Sequence, residues 1–143
     1  MHPYIGNVTF DCVEPAEQAE FWASVLGWEV QVEPPEVIQG LRGAGFTEEE
    51  MSSEASILHP EGRGEHPFGV RARLYFNRVP EAKSGKNRVH MDINAEDRRA
   101  EVERLVQLGA TKLRDVERVA GAASEAWTVM QDPEGNEFCV QGP

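Results

Sequence analysis

Two stretches of this chain decide its fold: Lys86–Ile93, with the sequence KNRVHMDI, and Asp132–Val140, with the sequence DPEGNEFCV. Polar and apolar residues alternate in both, which is the pattern of a strand with one buried face. Each strand presents one side chain that can bind a metal, His90 in the first and Glu137 in the second. We therefore expect the two strands to be neighbours, with His90 and Glu137 facing a common hollow that binds a small molecule.

The residues between these two stretches predict the rest of the second half. Asp97 to Leu108 carries apolar side chains at helical spacing, and Gly109 is well placed to end that helix. Further strands are predicted within 111–119 and over 127–130. The second half is thus expected to contain a strand, a helix and then three more strands.

The first half repeats this order. Alternation predicts a strand over 4–12, and Glu14-Pro15 then opens a helix that Leu26-Gly27 ends. Further strands are predicted over 28–32, 56–59 and 70–76. Alignment of the two Leu-Gly helix ends, with one residue of slack, pairs Asn7 with His90, Thr9 with Asp92 and Asp11 with Asn94.

This repeat predicts an α+β fold. One half alone exposes an apolar sheet face and is marginally stable, so we expect both halves to bury those faces under their helices. Two βαβββ modules would then form a cupped mixed β-sheet with the helices on the outside. The modules span about 1–79 and about 88–143, a polar linker covers about 80–87, and the chain 1–143 forms a single domain.

The segment 34–53 is the least regular part of the sequence. Pro34-Pro35 ends a strand, and three glycines between 40 and 45 argue against a long helix. Thr47 followed by Glu50 is typical of a capping box and predicts a short helix start. The sequence leaves open whether this segment is a lid over a cavity or an exposed connector.

Composition restricts the class of partner. The 143 residues carry a formal net charge of −11, which disfavours nucleic acid and anionic membranes because both attract Lys and Arg. No apolar run reaches the 18 residues of a membrane span, and the N-terminus lacks a secretory signal, so we expect a cytoplasmic protein. Cys12 and Cys139 are expected to be free thiols. We expect a homodimer; module exchange between protomers and a module pair within one chain are both open.

His90 and Glu137 offer an imidazole and a carboxylate, which suit Zn, Ni, Mn or Fe(II). Two protein ligands are too few for firm binding, since most sites supply three or four. Asn7 is a third candidate, although an amide oxygen is a poor ligand for these metals. The position equivalent to Glu137 falls within 73–76, which holds no carboxylate. The structural alternative is that His90 hydrogen-bonds a neighbour and Glu137 forms a buried ion pair with an Arg.

Trp127 and Tyr75 lie on predicted strands near the hollow. They either stack on a planar ligand or belong to the core, and the sequence leaves both alternatives open. Asp92 and Thr9 share the strand faces of His90 and Asn7. These four residues are the candidates for substrate binding: Tyr75, Trp127, Asp92 and Thr9. The sequence holds neither a phosphate-binding loop nor a Gly-x-Ser-x-Gly nucleophile motif.

Three segments together resemble the glyoxalase-like branch of the vicinal oxygen chelate superfamily, which includes glyoxalase I, extradiol dioxygenases and bleomycin-resistance proteins. They are Phe21–Trp28, Asn87–Asp92 and Trp127–Phe138. The resemblance implies paired βαβββ modules. It also implies a divalent metal, Zn, Ni, Mn or Fe, held by the first and last strand of each module. Residue by residue, it assigns metal ligands to His90 and Glu137, and it puts Asn7 where the first module often has His or Gln.

The resemblance implies two alternative functions. One is a metal-dependent lyase, isomerase or oxygenase that acts on a small oxygen-rich substrate, with Glu137 as a ligand or a catalytic base. The other is a non-catalytic small-molecule-binding protein of the bleomycin-resistance type, because some members of the superfamily bind drugs without a metal. The missing carboxylate in the first half and the aromatic residues favour the second alternative.

Overall fold

A computed structural model of the chain describes residues 7–60, 73–120 and 123–143. The chain divides into two compact units, Met1–Ala82 and Lys83–Pro143. The boundary between them lies inside the predicted linker 80–87. Parts of two predicted strands, 4–6 and 70–72, lie outside the described residues.

The first unit has the element order β1 (Val8–Cys12), α1 (Pro15–Leu26), β2 (Glu29–Val30), α2 (Pro35–Gly43), α3 (Glu48–Met51), β3 (Glu54–Leu58) and β4 (Arg73–Arg78). Its four strands form one sheet in the order β1-β4-β3-β2. Strand β1 pairs with β4 in parallel, and the other pairs are antiparallel.

The second unit has the element order β5 (Asp92–Asn94), α4 (Arg98–Gln107), β6 (Thr111–Ala120), β7 (Ala123–Gln131) and β8 (Glu137–Gln141). Its sheet has the order β5-β8-β7-β6, again with one parallel pair, β5 with β8. Both units are therefore βαβββ modules with the same strand order, and the predicted α+β fold class is confirmed.

Helix α1 forms where the sequence supplies its start and its end. Pro15 occupies the first turn, where a missing N–H costs nothing, and Gly27 ends the helix in the left-handed conformation with φ 67°. The helix buries Trp22 against the sheet, with ring centroids of Phe10 and Trp22 5.6 Å apart and those of Phe10 and Phe76 5.4 Å apart. These three aromatic rings form the centre of the first core.

Helix α4 has a different start and a smaller core. The Asp97 side chain caps it by accepting the Ala100 amide at 3.0 Å. Leu105 of this helix is fully buried. Arg98 is also buried, and its guanidinium donates to Thr128 Oγ1 at 2.7 Å and to the Gly142 carbonyl at 3.2 Å. Buried charge is tolerated here because each of these bonds satisfies one of its donors.

Two details of the predicted elements are wrong. Residues 35–43 form a nine-residue helix, because Pro35 at its first turn favours the start and neither Gly40 nor Gly43 has to leave the helical region. Strand β5 begins at Asp92 and not at Val89. In the β5–β8 register Val89 would lie opposite Asn136, which precedes the first residue of β8 and belongs to its turn.

Two other local expectations, a capping box and the absence of a disulfide, are confirmed. Thr47 and Glu50 form the predicted capping box at the start of α3. Cys12 and Cys139 are both buried, and no disulfide joins them. In the described parts of the chain, no helix combines the length and apolar character that a membrane crossing needs.

Candidate functional site

The candidate site is a cavity of about 690 Å³ in the second unit. It opens on the sheet face opposite α4. Its walls combine polar side chains with the indole of one tryptophan. The lining residues are His90, Asp92, Asn94, Ser124, Glu125, Ala126, Trp127, Cys139, Gln141, Gly142 and Pro143.

Strand register brings the lining side chains together. In the parallel pair, Asp92 lies opposite Cys139 and Asn94 lies opposite Gln141. In the antiparallel pair, Trp127 lies opposite Gln141. Because paired residues project to the same side of a sheet, three neighbouring strands supply one polar surface with Trp127 at its side.

The turn before β8 fixes the position of that strand. The buried Asp132 carboxylate accepts the amides of Glu134 at 3.0 Å and Asn136 at 2.9 Å, and Gly135 adopts φ 88°. Side-chain bonds to nearby backbone amides are the reason that Asp and Asn favour such turns. The Asp-Pro-Glu-Gly-Asn sequence therefore sets where Glu137 and Cys139 enter the sheet.

Three donor side chains cluster at one end of the cavity. His90 Nε2 lies 3.5 Å from Asp92 Oδ1. The ligand atoms of His90, Asp92 and Cys139 all lie within 4.8 Å of one another. Burial and the adjacent Asp92 carboxylate, which accepts the thiol hydrogen bond, raise the pKa of Cys139. The cluster thus offers an imidazole, a carboxylate and a protonated thiol.

The charge of the cavity wall is negative. Asp92 and Glu125 line it, and among the lining residues that the structure describes none is Lys or Arg. Arg118 lies beside the site, with its guanidinium carbon 5.2 Å from the Trp127 ring centroid, so one face of the indole already carries a cation. Neutral and cationic ligands suit this wall better than anions do.

Glu137 has other partners. Its carboxylate lies 3.3 Å from Lys83 Nζ and 3.9 Å from Lys86 Nζ, and it accepts the Asn87 amide at 3.0 Å. Burial alone would raise the pKa of Glu137, but the Asn87 amide and the Lys83 charge outweigh it and lower the pKa. A carboxyl with a lowered pKa is a weak base. The ion pair expected as the structural alternative is present, with Lys83 instead of an Arg.

The first unit carries a different pair of residues at the positions equivalent to His90 and Glu137. Val8 lies opposite Leu74, and extending this register by one residue brings Asn7 opposite Arg73. Arg73 Nε donates to Asn7 Oδ1 at 2.8 Å. The position equivalent to Glu137 is therefore Arg73, a cation.

Thr9 and Tyr75 lie opposite each other in the first sheet. The Tyr75 hydroxyl donates to the Glu54 carboxylate, and burial together with that carboxylate raises the pKa of Tyr75 to about 12. Of the four candidate substrate-binding residues, Asp92 and Trp127 line the cavity of the second unit. Substrate binding by all four residues stays a prediction.

The metal set that the resemblance implies does not fit these contacts. Glu137 would have to leave Lys83 and the Asn87 amide to bind an ion, and the Asn7 amide oxygen already accepts a bond from Arg73. The assignment of Glu137 and Asn7 as ligands stays a prediction without support from their partners. His90 differs from Glu137 and Asn7 because the group beside it, the Asp92 carboxylate, is itself a possible metal ligand.

Sequence reasoning missed part of the site. Cys139 was expected only to be a free thiol, although it follows Glu137 by two residues on the same strand face, and that spacing was a usable signal. Alternation also placed Asn94 and Gln141 on these faces, but no site role was assigned to them. Glu125 lies two residues before Trp127 on β7, so the same alternation places it on that face. Arg118 carried no signal, because the β6–β7 register that brings it to Trp127 cannot be derived before the turn is located.

Comparisons with known proteins agree on the fold. The family model described as a glyoxalase-like domain matches residues 7–141. No curated protein sequence matches the chain. A glyoxalase/bleomycin resistance protein/dioxygenase family enzyme from Burkholderia phytofirmans PsJN is similar in structure, at 14% identity, with 98% of each chain covered and a TM-score of 0.62.

Two further solved structures have the same architecture. A member of the glyoxalase/bleomycin resistance protein/dioxygenase superfamily from Sphaerobacter thermophilus DSM 20745 is 14% identical, covers 100% of this chain and 99% of its own, and has a TM-score of 0.57. A glyoxalase-related enzyme from Fulvimarina pelagi is 15% identical, covers 99% of this chain and 89% of its own, and has a TM-score of 0.56. At such identities the likeness shows the fold.

Proposed function

The chain belongs to the glyoxalase-like family, and from this premise we propose that it binds a small neutral or cationic molecule in the cavity of the second unit. The observation that carries the proposal is the composition of the cavity wall. An indole, several hydrogen-bonding groups and two carboxylates line a volume of about 690 Å³, which lies within the usual range of ligand pockets.

The chemistry of the wall defines the ligand class. Trp127 offers a surface for a planar or apolar part of the ligand. Asn94 and Gln141 can each donate and accept hydrogen bonds, so they suit hydroxyl and carbonyl groups. Asp92 and Glu125 repel anions and attract cations. A molecule with vicinal hydroxyl or carbonyl oxygens and no negative charge satisfies all of these groups.

Ligand-induced stabilisation tests this proposal. Catechol, choline and pyruvate represent a neutral diol, a hydroxylated cation and an anionic oxo acid, and each is added in a melting-temperature titration. A ligand that binds only the folded state adds about 2.7 kcal/mol to the free energy of unfolding at one hundred times its Kd, and the melting temperature rises accordingly. We expect a rise with catechol or choline and none with pyruvate.

A pair of tryptophan variants controls the experiment. Trp127→Ala should abolish the rise, whereas Trp28→Ala should keep it, because Trp28 lies in the first unit against His59. A rise that appears only with pyruvate, or that survives Trp127→Ala and fails in Trp28→Ala, would contradict the proposed site.

A second candidate function is the metal-assisted one, a lyase, isomerase or oxygenase reaction on an oxygen-rich substrate. The observation that favours it is the His90, Asp92 and Cys139 cluster within the same cavity. A bound divalent metal would supply Lewis acidity toward substrate oxygens. His90, Asp92 and Cys139 would hold that metal, while Trp127 would position the substrate.

Product analysis separates the two candidates. The protein is incubated with dicarbonyl and catechol substrates, with and without added Zn²⁺, Mn²⁺ or Fe²⁺. Metal-dependent product that is lost in His90→Ala supports the enzyme. Ligand-dependent stabilisation with no product under any metal supports the binding protein.

A further inference from the structure

Three donor atoms of different chemical type meet at the end of the cavity. His90 precedes β5, Asp92 begins that strand, and Cys139 is the register partner of Asp92 on β8. The Asp92 carboxylate lies 3.5 Å from His90 Nε2, and the Cys139 sulfur lies within 4.8 Å of the ligand atoms of both. The strand register therefore builds this cluster independently of Glu137.

Spacing within the cluster matches a shared ion. Two ligands bound to a tetrahedral zinc at 2.0–2.1 Å are roughly 3.4 Å apart. The imidazole nitrogen and the carboxylate oxygen are separated by 3.5 Å, and the sulfur lies within 4.8 Å of both. A shift of about 1 Å in the thiol would complete three bonds from a nitrogen, an oxygen and a sulfur, which is a ligand set that zinc accepts.

The Glu137 carboxylate is held away from such a role. Lys83 Nζ at 3.3 Å and the Asn87 amide at 3.0 Å bind it, and its side chain is only 10% exposed. His90 and Asp92 are by contrast 44% and 46% exposed, so an ion can reach them from solvent. The family position on β8 is thus engaged by Lys83 and Asn87, while Cys139, two residues later and also buried, lines the cavity beside Asp92.

We propose that His90, Asp92 and Cys139 bind a divalent cation of the zinc class, and that the family's metal position has moved from Glu137 to Cys139 in this chain. Three protein ligands leave a fourth position for water or a ligand in the cavity, as in catalytic zinc sites. The thiol binds as thiolate, so one proton leaves Cys139 for each ion bound. Asp92 exchanges its hydrogen bond from the thiol for a bond to the ion.

This site goes beyond the proposed small-molecule binding, which needs no metal. The two are tested separately because the metal is added alone. Cobalt(II) serves as the probe, since thiolate coordination gives a sulfur-to-cobalt charge-transfer absorption that nitrogen and oxygen ligands do not give. Zinc affinity follows from competition against cobalt, with protein that carries no histidine tag.

The variants divide the two possible ligand sets. Cys139→Ser should remove the charge-transfer absorption, and His90→Ala and Asp92→Asn should each weaken zinc binding by at least tenfold. Glu137→Gln and Cys12→Ser should leave both the absorption and the zinc affinity unchanged. His90→Ala and Asp92→Asn change partly exposed side chains, so they keep the test valid even where Cys139→Ser fails to fold.

Two results would overturn the proposal. One is stoichiometric zinc binding that Glu137→Gln abolishes and Cys139→Ser retains, which would restore the ligand position expected from the family. The other is the absence of cobalt or zinc binding at millimolar metal in folded wild-type protein. Neither result would affect the small-molecule proposal, whose readout is stabilisation by a metal-free ligand.

Discussion

The two units share a strand order but differ in net charge and in the polar residues at equivalent positions of their sheets. Residues 1–82 hold fourteen acidic against five basic residues, a formal charge of −9, whereas residues 83–143 hold eleven against nine, a charge of −2. At equivalent positions, the first unit has Asn7 and Arg73 where the second has His90 and Glu137. The shared topology depends on buried apolar positions, and these positions leave the polar face free to diverge.

The cores of the two units provide the first way to sharpen this comparison. Trp22→Ala and Leu105→Ala each remove a large side chain that its helix buries almost completely, at 1% and 0% exposure. We expect losses in the free energy of unfolding of about 3–5 kcal/mol for Trp22→Ala and about 2–5 kcal/mol for Leu105→Ala, the larger for the larger cavity. Urea unfolding followed by far-ultraviolet circular dichroism measures both.

Val106→Ala is the matched control in α4, because Val106 is 47% exposed. It should stay within about 0.5 kcal/mol of wild type. If Trp22→Ala proved as mild as this control, the three-ring core of the first unit would be wrong.

The second test compares Glu137 with its counterpart Arg73. Glu137→Gln leaves Lys83 nearly buried without its anion, and we expect a loss of about 1–3 kcal/mol at neutral pH. Arg73→Gln breaks an exposed contact and should cost less than about 1 kcal/mol. Urea unfolding of both variants at neutral pH gives the difference.

The pH dependence of the Glu137 effect has a defined sign. The folded-state pKa of Glu137 is lowered, so its contribution is complete above the ordinary carboxyl value of 4.5 and is lost as the pH falls through the lower folded value. The gap in stability between wild type and Glu137→Gln should therefore shrink in acid. A gap that grew with acidity would contradict the contacts with Lys83 and Asn87.

The third test compares helix caps. Asp97→Ala removes the cap of the ten-residue helix α4 and should cost about 1 kcal/mol, whereas Asp97→Ser should restore most of it. Thr47→Ala should have a smaller effect, because α3 is four residues long and buries no side chain. Equal losses in melting temperature for both alanine variants would show that the two segments matter equally to the fold.

The smallest effect concerns Tyr75. Its pKa is raised to about 12, so its phenol should ionise well after an ordinary tyrosine as the pH rises, and Glu54→Gln should lower that value. Since the folded pKa lies above the unfolded value, this contribution to stability is complete below about 10 and is lost as the pH approaches 12. Near-ultraviolet absorbance titration reports the step, and Tyr75→Phe identifies it by its loss.

Periodicity was enough to predict the repeat and the cores. Strand β1 buries Cys12 and leaves Thr9 and Asp11 exposed, as its alternation predicts, and Leu26-Gly27 ends α1 where the sequence indicates. The α2 helix was not predicted because Gly40 and Gly43 have a low helix propensity. The penalty is only about 1 kcal/mol for each glycine, and the favourable helix start at Pro35 outweighs it.

The site was only partly predictable, for a physical reason. His90, Asp92 and Trp127 could be placed from strand alternation, which is a local pattern. The partner of Glu137 could not, because Lys83 lies in a linker without periodicity, and the contact depends on how that linker turns back to β8. The alternation that places Glu137 also places Cys139 on the same strand face. Alternation alone does not tell which of two donor side chains on one face would bind an ion.

The strand order also constrains how the chain can fold during synthesis. The last strand of each unit, β4 or β8, lies in the interior of its sheet, between the first strand and the third. The first strand, β1 or β5, therefore cannot pair with its parallel neighbour until that whole unit has left the ribosome. Neither sheet can form strand by strand in chain order. Each nascent unit therefore exposes an unpaired, aggregation-prone strand for the several seconds that its translation takes.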